Sequence, residues 1–161
     1  MALTVEDGTG LSSADAYVSV ADATTYHANL GNTAWASAAE SAQEIALRRA
    51  AQYIDARFRY RGWRLTTTQA LEWPRSYYEP DGRTESWIPK NLKEAVCEAA
   101  LRALSDTLYE DVSTDRVTEE TVGPITVKYA GKGGQTRMPV VDALLARYAI
   151  GGGGIRLERA A

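Results

Sequence analysis

A chain of 161 residues, 45% hydrophobic and 24% charged, is long enough for one domain that buries roughly 70% of the surface its unfolded form exposes. A net charge of −3 and a pI near 5.3 argue against wholesale wrapping of nucleic acid, while leaving room for a local basic patch. One cysteine, Cys97, excludes a disulfide within the chain, and no apolar stretch approaches the roughly 20 residues that span a bilayer. The first residues lack the basic flank and apolar run of a signal peptide, so a soluble cytoplasmic protein without membrane partners is expected.

In chain order, Ser19 is a predicted cap for a helix running to about Leu30, with Asp22 three residues on and Gly31 as its stop. An alanine-rich run from about Ser37 to Arg59 puts Leu47, Ala50, Ala51, Ile54 and Phe58 on one helical stripe. A third helix starts near Pro89 and aligns Leu92, Ala95, Val96, Ala99, Ala100, Ala103, Leu104 and Leu108. Between the second and third helices, residues 60–88 form a long aromatic loop. A short helical piece is expected at Thr68–Leu71, capped from Thr66-Thr67-Thr68, with a reverse turn at Asp81-Gly82. Trp63, Trp73, Tyr77, Tyr78 and Trp87 are available to pack that loop down.

From Arg116 onward the chain reads as arms without a core of their own. Two short strands are expected about Gly123-Pro124, then the glycine-rich 131–134, a short apolar helix from Pro139 to Ile150, and four glycines before Ile155–Arg159. The expected fold is mainly α: a small helical bundle (1–115) carrying the loop 60–88, with a β-hairpin arm, a C-terminal helix and a tail (116–161). Arms of this kind must pack on the body or on a partner. Val140, Val141, Leu144, Leu145 and Tyr148 recur at helical spacing, and with Ile125, Val127, Tyr129, Ile155 and Leu157 they are the candidate subunit or partner interface, buried only when that partner is present.

Catalytic equipment is sparse. His27 has neither cysteine nor second histidine to complete a metal site, no serine sits in a nucleophile-elbow motif, and Gly131-Lys132-Gly133-Gly134 lacks the spacing of a phosphate loop. No enzyme activity, cofactor or metal is expected. The carboxylates Asp106, Glu110, Asp111, Asp115, Glu119 and Glu120 read as a solvated acidic face; lining a channel, they would repel a passing DNA backbone. The counter-signal is the interleaving of Arg48, Arg49, Arg57, Arg59, Arg61 and Arg64 with Tyr53, Phe58, Tyr60 and Trp63. Such a run supplies either phosphate contacts with stacking surfaces or an arginine-rich subunit interface.

The order of Asp7-Gly8-Thr9-Gly10, Asp15-Ala16-Tyr17-Val18, Tyr26-His27, Ala46-Leu47-Arg48-Arg49, Tyr53-Ile54-Asp55, Arg61-Gly62, Gln69 to Arg75, Ile88-Pro89, Glu98 to Leu101 and Val122-Gly123-Pro124-Ile125 resembles the head-tail connector (adaptor) family of tailed phages and prophages. Related sequences carry the label of DnaT-like single-stranded-DNA-binding proteins. The resemblance covers nearly the whole chain, most specifically at Trp73-Pro74-Arg75 and Gly123-Pro124. It implies a structural subunit of a ring, commonly twelvefold, that joins portal protein to a stopper or tail-completion protein in the virion and lets genomic DNA pass. The DnaT-like label implies instead a replication accessory with a DNA surface in the segment from Arg48 to Arg64.

Overall fold

The computed structural model describes residues 2–78, 84–109, 119–122, 125–128 and 138–150. Their elements are α1 (Val20–Asn29), α2 (Thr33–Ala36), α3 (Glu40–Arg57), β1 (Trp63–Arg64), β2 (Arg75–Tyr78), β3 (Thr84–Trp87), α4 (Lys90–Ala103), β4 (Glu119–Val122), β5 (Ile125–Lys128) and α5 (Pro139–Leu145). The fold is mainly α, as the helical periodicity requires.

α1 begins and ends where its capping residues dictate. The Ser19 hydroxyl accepts the Asp22 amide at 3.0 Å and donates to the Asp22 carboxylate at 2.8 Å, and Gly31 takes the left-handed conformation (φ 72°) that closes the helix. The second helix is shorter than predicted. Residues 33–36 form the separate turn α2, with Ser37 as its C-cap, so α3 starts only at Glu40. Its end comes at Arg57 because Phe58 adopts an extended backbone and Tyr60 pairs with Ala149.

α3 and α4 form the centre of the bundle, and α5 packs on α4. The facing stripes are nearly solvent-free: Leu47, Ala50, Ala51 and Ile54 from α3 meet Leu92, Ala95, Val96, Ala99 and Ala100 from α4. Alanines at these positions let the two backbones approach closely. Pro89 caps α4 from an extended conformation, one position before its predicted first-turn place. Leu104 lies at the C-cap and is only partly buried, whereas Leu108, beyond the helix, is buried.

The described part of the segment 60–88 is not loop throughout. β1, β2 and β3 form an antiparallel sheet in sequence order, with Arg64 opposite Arg75 and Arg75 opposite Trp87. The helix expected at Thr68–Leu71 is absent, although its cap forms. Thr66 Oγ1 accepts the Gln69 amide at 3.1 Å while Gln69 Oε1 accepts the Thr66 amide at 2.9 Å. Tertiary bonds then replace helical ones: the Ala70 amide donates to Leu11 O, and Gln69 Nε2 donates to Leu71 O and Pro74 O. Trp73–Pro74 is a cis peptide.

α5 belongs to the body. Val141, Leu145 and Tyr148 are buried on this chain's own core, so burying them requires no partner. The expected partner is replaced by the body itself, because Arg57 ties α3 to α5 through Asp142 at 3.1 Å and Asn91 of α4 donates to Leu144 O. Leu144 is partly buried and Val140 is exposed. Beyond α5, Tyr148 and Ala149 return to pair with the 59–61 segment rather than extending the helix to Ile150. β4 and β5 form the predicted hairpin, with Ile125 opposite Val122 and Val127 opposite Glu120. Tyr129, Ile155, Leu157, the Asp81-Gly82 turn and the glycine-rich 131–134 lie outside the described residues.

Candidate functional site

Tyr17, Asp55 and the backbone of Glu72 and Trp73 form an internal joint. Tyr17 donates its hydroxyl to both carboxylate oxygens of Asp55, at 2.7 and 2.8 Å, and accepts the Trp73 amide at 3.1 Å. Asp55 also accepts the Glu72 amide at 3.0 Å. Four polar groups from three distant segments thereby satisfy one another inside the core. Burial pushes the Asp55 carboxyl up to about 6 despite these hydrogen bonds, and it raises the Tyr17 phenol well above its ordinary range.

Arg75 is a second joint, and it shapes the surface. Its side chain is 9% exposed. Nε donates to Arg61 O at 3.0 Å, Nη2 to Gly62 O at 2.8 Å, and Nη1 to Glu72 Oε2 at 2.7 Å. One planar guanidinium therefore holds the carbonyls of residues 61 and 62 in a fixed curve. Gly62 permits that curve with φ 73°.

Along this segment the side chains alternate. Phe58 and Tyr60 point into the core, while Arg59 and Arg61 are exposed. Trp63 follows, 53% exposed. Behind the segment, Trp73 stands edge-on to Tyr60 at 5.4 Å and to Tyr148 at 5.8 Å, and Tyr148 is edge-on to Trp87 at 6.0 Å. This aromatic block makes the ridge rigid. The Arg61 amide donates to Tyr148 O at 3.2 Å and the Ile150 amide to Arg59 O at 2.6 Å. Arg147, also exposed, immediately precedes Tyr148 in the turn after α5 and so comes to the same edge of the segment as Arg61, whose amide Tyr148 O accepts.

The six arginines of the sequence pattern divide sharply. Arg48 pairs with Asp15 at 3.6 Å and Glu44 at 3.8 Å and donates to Ala2 O. Arg57 is bound to Asp142 and lies over the rings of Phe58 and Tyr53. Arg64 donates to Gln69 O. These three are committed to the fold. Arg59 and Arg61 lie together on the ridge, and among the described residues no carboxylate pairs with either of them or with Arg147. Arg49 is exposed further back on α3. Arg147 was not distinguishable in the sequence, because only the Tyr60–Ala149 pairing brings it to this place.

His27 is buried between Tyr26 and Trp35, with Nδ1 3.1 Å from Asn32 Nδ2, and burial lowers its pKa. The Cys97 thiol is buried and pushed up to about 12, far from a reactive thiolate at neutral pH. Among the described residues no three His, Cys, Asp or Glu side chains converge as a metal site, and no described helix is long and apolar enough to cross a membrane.

No curated protein and no solved structure gives a significant match to this chain. One family model matches residues 1–160, essentially the whole length. The chain belongs to the family described as "Putative DnaT-like ssDNA binding protein".

Proposed function

We propose that this protein binds single-stranded nucleic acid without catalysing a reaction. The observation that carries the reading is the ridge itself: Arg59 and Arg61 projecting from an extended segment, Arg147 beside them, and the half-exposed Trp63 at its end. A single strand needs cations along its phosphates and π-faces for its bases, and the two occur together here. The family description agrees with this chemistry. A net charge of −3 limits the interaction to the ridge, which favours a short site over extended wrapping. Fluorescence anisotropy of a labelled oligothymidylate tests it. Binding that weakens with salt and is lost when Arg59, Arg61 and Arg147 become glutamate supports the reading, and salt-independent binding contradicts it.

A second reading, the virion connector ring between portal and stopper proteins, is favoured by a different observation. Arg48, Arg57 and Arg64 serve the fold rather than a ligand, while Leu30, Val140 and Ile150 are each more than half exposed. Leu30 adjoins, and Val140 lines, a groove of about 580 Å³ between the α1–α2 turn, α4 and the start of α5. A neighbouring subunit fits such a surface. Mass measurement of the protein alone and mixed with its portal separates the two readings: a ring-on-ring complex supports the connector.

A further inference from the structure

The exposed face of α3 leads from the ridge to a second concavity. Arg49, Gln52 and Ala56 are exposed at helical spacing along α3, and the exposed Arg59 follows two residues past the helix end. Eight residues at helical rise put Arg49 about 12 Å from Arg57, and Arg59 follows two residues further on in extended backbone. At the far end lies a slot of about 390 Å³, lined by Arg49, Gln52, Tyr53, Asp106, Leu108 and Tyr109. That volume lies near the lower end of small-ligand sites, suited to one planar group.

The slot has the chemistry of a base pocket. Tyr53 and Leu108 are buried and form an apolar floor, while Tyr109 stands 48% exposed as a wall. The Tyr109 hydroxyl donates to Tyr53 O at 3.4 Å, and the two rings lie 4.9 Å apart at 59°, so the wall is held before any ligand arrives. Gln52 presents both an amide donor and an acceptor at the rim, matching the mixed edge of a nucleobase. Arg49 supplies positive charge beside it, and the facing carboxylate, Asp106, is engaged by Arg102 at 3.3 Å.

We propose that this slot receives one base of the same strand whose phosphates cross the ridge. The inference rests on the single-strand reading above and adds a second anchor to it. Stacking on Tyr109 supplies affinity with little sequence preference, and Gln52 adds a bias among bases.

The test compares a fluorescein-labelled oligothymidylate with an oligomer of equal length whose internal positions are abasic. The wild-type protein is expected to bind the base-bearing strand more tightly. Tyr109→Ala should weaken that strand roughly 5- to 150-fold and leave abasic binding unchanged. Tyr109→Phe, which retains the ring, should keep most of the affinity. Thermal melting of both variants shows whether they remain folded, as an exposed position predicts, and Gln52→Ala provides an independent probe of the slot. If Tyr109→Ala and Gln52→Ala both bind as wild type while Arg59→Glu and Arg61→Glu abolish binding, the slot is overturned and the ridge stands. If wild-type protein binds neither oligomer, both fail.

Discussion

Asp55 brings three parts of the chain together, and its burial leaves a signature in pH. The folded protein holds the Asp55 proton up to about pH 6, whereas an unfolded aspartate releases it near 3.8. A folded-state pKa raised in this way stabilises the protein fully below the unfolded value and loses that contribution as pH rises through the folded value. The loss between about pH 4 and pH 7 is on the order of 3 kcal/mol. Asp55→Asn retains an acceptor for Tyr17 and the Glu72 amide without a charge to bury. Denaturant titrations should therefore show the variant gaining on wild type across that window; a gap that stays constant with pH would contradict the buried charge. Arg75 offers a second check, since Arg75→Ala strips one hydrogen bond from each of the 61 and 62 carbonyls, and the bond to the Glu72 carboxylate, and should cost roughly 2 to 4 kcal/mol. Neither role can be read from composition. The sequence shows Tyr17, Asp55 and Arg75 as members of a resembling pattern, but only tertiary proximity reveals that they hold one another.

Among the elements, the helices were legible and the connection between them was not. Ser19 and Gly31 place both ends of α1 and Pro89 the start of α4 within a residue, whereas the apolar spacing carried the expected α4 stripe on to Leu108, five residues past its end at Ala103. The 60–88 sheet lacks such signals: β1 is two residues long, and β2 owes its place to Arg75 and to pairing on both sides. The alternation of Phe58, Arg59, Tyr60 and Arg61 was the one readable hint of extended backbone there. For α5, spacing identified the apolar positions without telling whether they face this chain or another. The structure turns Val141 and Leu145 inward and leaves Val140 outside. Leu145→Ala should accordingly cost about 2 to 5 kcal/mol in equilibrium unfolding, and Val140→Ala less than about 0.5 kcal/mol. Equal losses at both positions would mean that α5 is rotated from the orientation described.

For the whole molecule, an acidic protein presents a small basic ridge mounted on an aromatic block, and the ridge is assembled from two segments some 86 residues apart. Arg59 and Arg61 come from the extended segment that follows the central helix and Arg147 from the turn after α5. Three arginines crossing a single strand imply the release of about two counterions, a slope near −2 in a plot of log affinity against log salt. The most direct measurement is that slope for oligothymidylate, taken for wild type and for the combined Arg59→Glu, Arg61→Glu and Arg147→Glu variant. The account predicts a slope near −2 for wild type and loss of binding in the variant, with its thermal stability unchanged. Wild-type affinity indifferent to salt, or a variant that binds as tightly as wild type, would contradict it.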